Sequence, residues 1–167
     1  SGTAVGATLA FNTIGWQAQN ILYSALDSLL GTSVGKQRPI SVHAEISSTS
    51  LDLAGDLNLS AVQVPQINAS IENSSTSTGD SAAVSFVLAS NMLSSRADVL
   101  LSPLVGGTSS IGGNLNIKAI DTSGIAAEIT MDASSSGGAG VGGLVARNDV
   151  RNAVHTLIDQ ASLEVGG

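Results

Sequence analysis

The sequence predicts an all-β chain wound as a parallel β-helix, a β-solenoid, with one inserted amphipathic helix. Three observations predict it. Related segments recur along the 167 residues. Within them, apolar and polar residues alternate with a period of two. The composition is 43% hydrophobic with only 2% aromatic and 11% charged residues, so the interior must be aliphatic and the surface neutral and polar. Disordered chains are poor in aliphatics and heavily charged, and this chain is neither.

The repeat decides most of the reading, because a missed repeat misassigns the whole fold. AVGATLAFN (Ala4 to Asn12) matches AAVSFVLASN (Ala82 to Asn91) and GVGGLVARN (Gly140 to Asn148). Each ends in an aliphatic residue, Ala, any residue and Asn. A second block, LAGDLNLSA (Leu53 to Ala61), matches IGGNLNIKA (Ile111 to Ala119), and a third, ISSTSL (Ile46 to Leu51), matches IDQASL (Ile158 to Leu163). Asn12 and Asn91 are 79 positions apart, Asn91 and Asn148 only 57. The surplus falls on residues 16–39. The chain therefore reads as a single body over 1–167, with repeat units of about 4–78, 79–138 and 139–167 and a helical insertion at about 16–39.

The elements follow in order. Val42-Ala44-Ile46, Leu57-Leu59-Ala61 and Ile67-Ala69-Ile71 alternate with polar residues, the mark of half-buried strands. Gly55-Asp56, Gly79-Asp80, Gly112-Gly113-Asn114 and the run Ser134 to Gly138 supply turns. Coils of such strands stack ~4.8 Å apart and share one core, so a 57-residue unit is expected to hold two or three of them. An antiparallel sandwich or roll is the alternative. Trp16 to Leu30 reads as the helix, with Trp16, Ile21, Leu22, Ala25, Leu26, Leu29 and Leu30 on one face and Gly31 at its end. Asp149 to Ala161 is two-sided: its apolar residues fit a helical period, yet the repeat places Val154 to Ile158 on the strand formed by Val42 to Ile46. The repeat prevails, since it rests on matched residues.

At these motifs the chain resembles the very large repetitive exported proteins of bacteria, the adhesin-like and haemagglutinin-like giants. The resemblance lies in segments of two kinds: Gly6 to Asn12, Val87 to Asn91 and Gly142 to Asn148, and Gly55 to Ala61 with Gly113 to Ala119. It covers nearly the whole chain outside the helical insertion. It implies a non-catalytic structural or adhesive segment, extracellular or on the cell surface, whose partners are neighbouring repeats of the parent chain and a surface glycan or protein ligand. It brings no catalytic residues. The calcium-binding glycine-rich nonapeptide of some such giants is missing, because Gly137-Gly138-Ala139-Gly140 lacks the following Asp.

Composition and motif content exclude other classes. A net charge of −7 with six Lys and Arg argues against nucleic acid and anionic membranes, both of which need a basic patch. No run approaches the roughly twenty apolar residues of a spanning helix, so membrane insertion is not expected. The absence of cysteine removes disulfides, thiolate metal sites and cysteine nucleophiles. The start of the chain has no signal-peptide pattern and reads as the interior of a longer polypeptide. No GxSxG elbow, phosphate loop or dinucleotide fingerprint is present.

The candidate sites are few. His43 and His155 hold the same repeat position, with Asp98 in the second unit. With two or three coils per unit they should lie ~10–14 Å apart, too far to share an ion whose ligands stand ~2.0–2.2 Å from it. Asp52, Asp56 and Asn58 crowd one turn without the dense acidic loop that calcium wants. Asn12, Asn91 and Asn148 recur at a strand end. An enzyme cleaving acidic polysaccharide needs carboxylates gathered with cations. Lys36, Arg38, Arg96, Lys118, Arg147 and Arg151 are scattered, and Phe11, Trp16, Tyr23 and Phe86 are the only aromatics for a sugar groove. The expectation is therefore no catalytic residue, no cofactor and no metal. Open strand edges at the ends predict either end-to-end self-association or a helix folded over a terminus.

Overall fold

The computed structural model describes residues 2–17, 29–31, 37–159 and 162–167. These residues form eleven strands: β1 (Ala4–Ile14), β2 (Ile40–Ser47), β3 (Asp52–Leu53), β4 (Leu57–Gln63), β5 (Gln66–Ser77), β6 (Ala83–Ser102), β7 (Ser109–Ile111), β8 (Leu115–Asp121), β9 (Gly124–Ser135), β10 (Gly140–Ile158) and β11 (Leu163–Val165). They assemble into four small sheets. One has the order β1-β6-β10, with β2 also pairing β6; another runs β11-β7-β3; two more pair β4 with β8 and β5 with β9.

The pairing is parallel and in register between matched residues. Ala4 lies opposite Ala83 and Asn12 opposite Asn91; Leu57 lies opposite Leu115 and Ala61 opposite Ala119; Ile67 lies opposite Ile125 and Ile71 opposite Ile129. In these ladders an amide bonds the carbonyl just before its partner, as Leu57 N–H does with Asn114 O (2.8 Å). Ala83 N–H to Ala139 O and Asp159 N–H to Leu101 O, both 2.9 Å, therefore fix the β6–β10 offset at 57, the separation of Asn91 and Asn148.

Two expectations are corrected. The described residues make several small parallel sheets with no closed barrel and no solenoid, and beyond the helical turn at Leu29 and Leu30 no helix stands among them. The physical reason lies in the registers. Each repeat unit supplies one strand to a given ladder, rather than the two or three that coils stacked within a unit would supply. Most of the helix expected at Trp16 to Leu30 lies outside the described residues. The antiparallel alternative fails as well, since β1 and β2 on β6, β3 and β11 on β7, β4 on β8 and β5 on β9 all pair in parallel. The helical period at Asp149 to Ala161 is overruled: β10 continues to Ile158, and positions 160 and 161 lie outside the described residues.

The chain divides into two compact units. The first comprises 1–38, 66–94 and 124–150; the second comprises 39–65, 95–123 and 151–167. In the first, Ile71, Val87 and Ala89 are buried, with Ala10, Ile129 and Met131 packed against them. Towards the end of β5 the inward residues become polar: Asn73, Ser75 and Ser77, with Ser85 across from them. Burying these groups would be costly without partners. Ser85 Oγ donates to Asn73 Oδ1 (2.7 Å), Asn73 Nδ2 donates to Thr8 Oγ1 (2.8 Å) and Phe86 O (3.1 Å), and Ser75 Oγ donates to Val84 O (3.0 Å). Gly6 makes this approach possible, because a Cβ there would stand 2.9 Å from Asn73 Oδ1. In the second unit Ala61, Ala97 and Val99 are buried against Ala44, Leu59, Ile117 and Ala119, and the polar Gln63, Ser95 and Ser109 are buried as well.

Candidate functional site: lateral side-chain ladders

Parallel in-register strands place equivalent side chains ~4.8 Å apart in rows, so a residue kept at one repeat position meets its own copy. Asn12 Nδ2 donates to Asn91 Oδ1 (2.8 Å), and Asn91 Nδ2 donates to Asn148 Oδ1 (2.9 Å). Asn91 is only 1% exposed, and its amide is served on both sides by this ladder. The sequence marked these three asparagines as recurring at a strand end; the structure makes them one hydrogen-bonded row.

The turn acids are spent in the same way. Asp52 Oδ1 accepts from Ser110 Oγ (2.8 Å). Asp56 Oδ1 accepts from the Asn114 backbone N–H (2.7 Å) and from Asn114 Nδ2 (3.2 Å), and Asn58 Oδ1 accepts from Asn116 Nδ2 (2.9 Å). Each oxygen bonds the neighbouring strand or turn rather than converging on a common point.

The spacing expected for His43, Asp98 and His155 is corrected. His43 lies opposite Asp98 in the β2–β6 ladder, and the offset of 57 brings His155 opposite Asp98 on the other side. The three occupy one row on adjacent strands. Their polar contacts nevertheless run along the strands. His43 Nε2 bonds Glu45 Oε2 at 3.0 Å, and Arg96 Nε stands 2.6 Å from Asp98 Oδ2. In the first unit Arg147 pairs in the same i, i+2 manner with Asp149 at 3.1 Å. Glu45 titrates below the ordinary carboxylate range, chiefly because His43 hydrogen-bonds it, with help from Ser47. Among the described residues, no group of three or more His, Asp or Glu side chains could hold a metal ion.

Among the described residues, polysaccharide chemistry finds no gathered set either. Phe11 lies opposite Ser90, whereas Phe86 lies opposite Ala7, so the two rings are not row mates. Arg96 and Arg147 serve their own strand pairs, Lys118 lies on β8 opposite Ser60, and Lys36 and Tyr23 fall outside the described residues. The depression beside Asn68, Ser70 and Glu128 is shallow, about 380 Å³, with Glu128 its single charged group.

Sequence reasoning missed one polar pair. Gln63 lies opposite Asp121, and Gln63 Oε1 and Asp121 Oδ2 are both buried without a hydrogen-bond partner, although Asp121 Oδ1 accepts from Ser123 Oγ. The signal was available, since both residues follow the matched blocks LNLSA and LNIKA, but the mismatch of amide and acid hid their equivalence. No helix among the described residues is long and apolar enough to cross a membrane. No protein-family model, curated protein or solved structure matches this chain.

Proposed function

We propose that the chain is a non-catalytic structural or adhesive repeat segment of a very large bacterial protein that is exported or displayed on the cell surface. The observation that carries this reading is the like-on-like register. Matched residues of successive units pair across β1–β6, β4–β8 and β5–β9, and the recurrent polar groups are used to hold neighbouring strands together. Polar groups consumed in this way build a scaffold rather than a reaction centre. Neighbouring repeats of the parent chain are the natural partners, with a glycan or protein ligand for the adhesive role. The acidic, cysteine-free composition suits exposure outside the cell without help from disulfides.

The test has two arms. Antibody against the chain should label intact producing cells, and the purified chain should leave acidic polysaccharides uncut while being retained on surface-adhesion or glycan panels. Turnover of a polysaccharide, abolished by Asp98→Asn with the fold intact, would overturn the reading.

A further inference from the structure

The first unit is not closed equally over its three layers. β5 and β9 form one wall and β1, β6 and β10 the other, so the β10 layer has no opposing strand among the described residues. The consequence is visible along one inward row. Val87 is fully buried, whereas Leu144, its neighbour on β10, is 49% exposed. Ala89 is likewise buried and its row mate Ala146 exposed. On the other wall Ile67 and Ile71 of β5 are buried, while Ile125 and Ile129 of β9 are only half-buried. Met131 leans across the gap: a Cβ on Gly142 would stand 2.5 Å from its Cε. The edge of β9 that carries no strand among the described residues and the inner face of β10 thus meet in an apolar step.

We propose that this step is a strand-docking site, and that its occupant is a parallel strand of the Gln66–Ser77 type from another copy of the repeat. Continuity with an interface already formed identifies the occupant. β5 lies on β9 over twelve residues in register, with Ile67, Ala69 and Ile71 opposite Ile125, Ala127 and Ile129. The same strand placed on the other edge of β9 would carry Ile, Ala and Ile over Ile125, Ala127 and Ile129 and cover Leu144. Exposed β-strand edges bind added strands through backbone bonds, with alternate side chains setting specificity.

Charge chooses between the two repeat strands. On the outward face, Glu72 of β5 lies opposite Thr130, while Glu128 and Asp132 of β9 lie opposite Ser70 and Ser74. An added strand of the β5 type keeps every acid beside a neutral residue. An added strand with the β9 sequence would set Glu128 against Glu128 and Asp132 against Asp132, and like charges directly opposite are destabilising. The inference rests on the repeat reading of the chain and is independent of its cellular location.

A fluorescein-labelled peptide of Gln66–Ser77 added to the intact protein tests it by anisotropy, with amide shifts mapping the contact. Saturable binding is expected, with shifts confined to β9 and the first half of β10. Ile67→Lys with Ile71→Lys in the peptide, or Leu144→Asp in the protein, should each weaken binding at least tenfold. Leu9→Asp, on the outward face of β1 and 51% exposed, should leave it unchanged. A peptide of Gly124–Ser135 should bind more weakly. Equal binding of the charged peptide, shifts on β5 instead, or no binding at millimolar peptide would overturn the proposal. Because surface display and polysaccharide turnover are read separately, failure here is distinguishable from failure of the proposed function.

Discussion

β6 and β10 carry versions of one motif, AVSFVLASN and GVGGLVARN, and meet opposite fates. Along β6, Val87, Leu93, Val99 and Leu101 have at most 1% of their surface exposed. Along β10, Leu144, Val154, Leu157 and Ile158 are 41–51% exposed. The difference lies in the neighbours rather than in hydrophobicity. β6 has strands on both edges, whereas β10 has a described partner on one edge only. In a chain of repeated strands, burial belongs to the middle layer, and the same residue type contributes to stability according to its layer.

The sharpest way to break this comparison is to truncate row mates. Leu101→Ala should cost about 3 kcal/mol, the usual loss for a fully buried leucine. Ile158→Ala, on β10 in the same row and 48% exposed, should cost less than about 1 kcal/mol. Urea denaturation of both variants checks the pair; equal costs would show that layer position does not govern burial.

The asparagine row makes the same comparison in polar terms. Asn91→Ala removes the middle of the ladder, leaving the Asn12 amide and the Asn148 carbonyl oxygen without their bonds, at about 2 kcal/mol. Asn12→Ala at the exposed end of the row should cost less than about 1 kcal/mol by the same denaturation.

A gain is expected where the ladder logic is broken in the native sequence. Asp121→Asn would give Gln63 Oε1 a donor on the adjacent strand, while Asn Oδ1 could still accept from Ser123. Stability should rise by about 1 kcal/mol, seen as a higher melting temperature.

The smallest effect is at the exposed surface. Glu45 titrates below the ordinary range, so its contribution to stability is present above the unfolded carboxyl pKa and is lost as pH falls through the lower folded value. His43→Ala should move the Glu45 titration back towards the ordinary range, followed by NMR on the side-chain carboxyl carbon.

Much of this arrangement was legible in the sequence, for a physical reason. Residues that meet copies of themselves across a ladder must repeat, so Asn12, Asn91 and Asn148, and the LNL and LNI segments, could be aligned by eye and do lie in register. Ile46 and Ile158, matched through ISSTSL and IDQASL, flank Leu101 from opposite sides. What the alignment could not supply was the rise per unit. Equivalence of residues does not say whether one strand or three separate the copies, which is why the row of His43, Asp98 and His155 was expected to be spread out. Nor could it show that the inward face of β5 turns polar after Ile71, since Asn73, Ser75 and Ser77 keep the alternation while changing its chemistry.

The central claim is that successive units pair strand on strand in one fixed register. A cysteine cross-link tests it most directly, because the chain has no native cysteine. Asn58→Cys with Asn116→Cys puts two thiols on exposed positions that now share a 2.9 Å hydrogen bond, and paired Cα atoms ~4.8 Å apart fall within the range a disulfide spans, about 4.4–6.8 Å. The account expects rapid, intramolecular oxidation of this pair and little of the diagonal pair Ser60→Cys with Asn116→Cys. Faster cross-linking of the diagonal pair, or disulfides formed only between molecules, would contradict it.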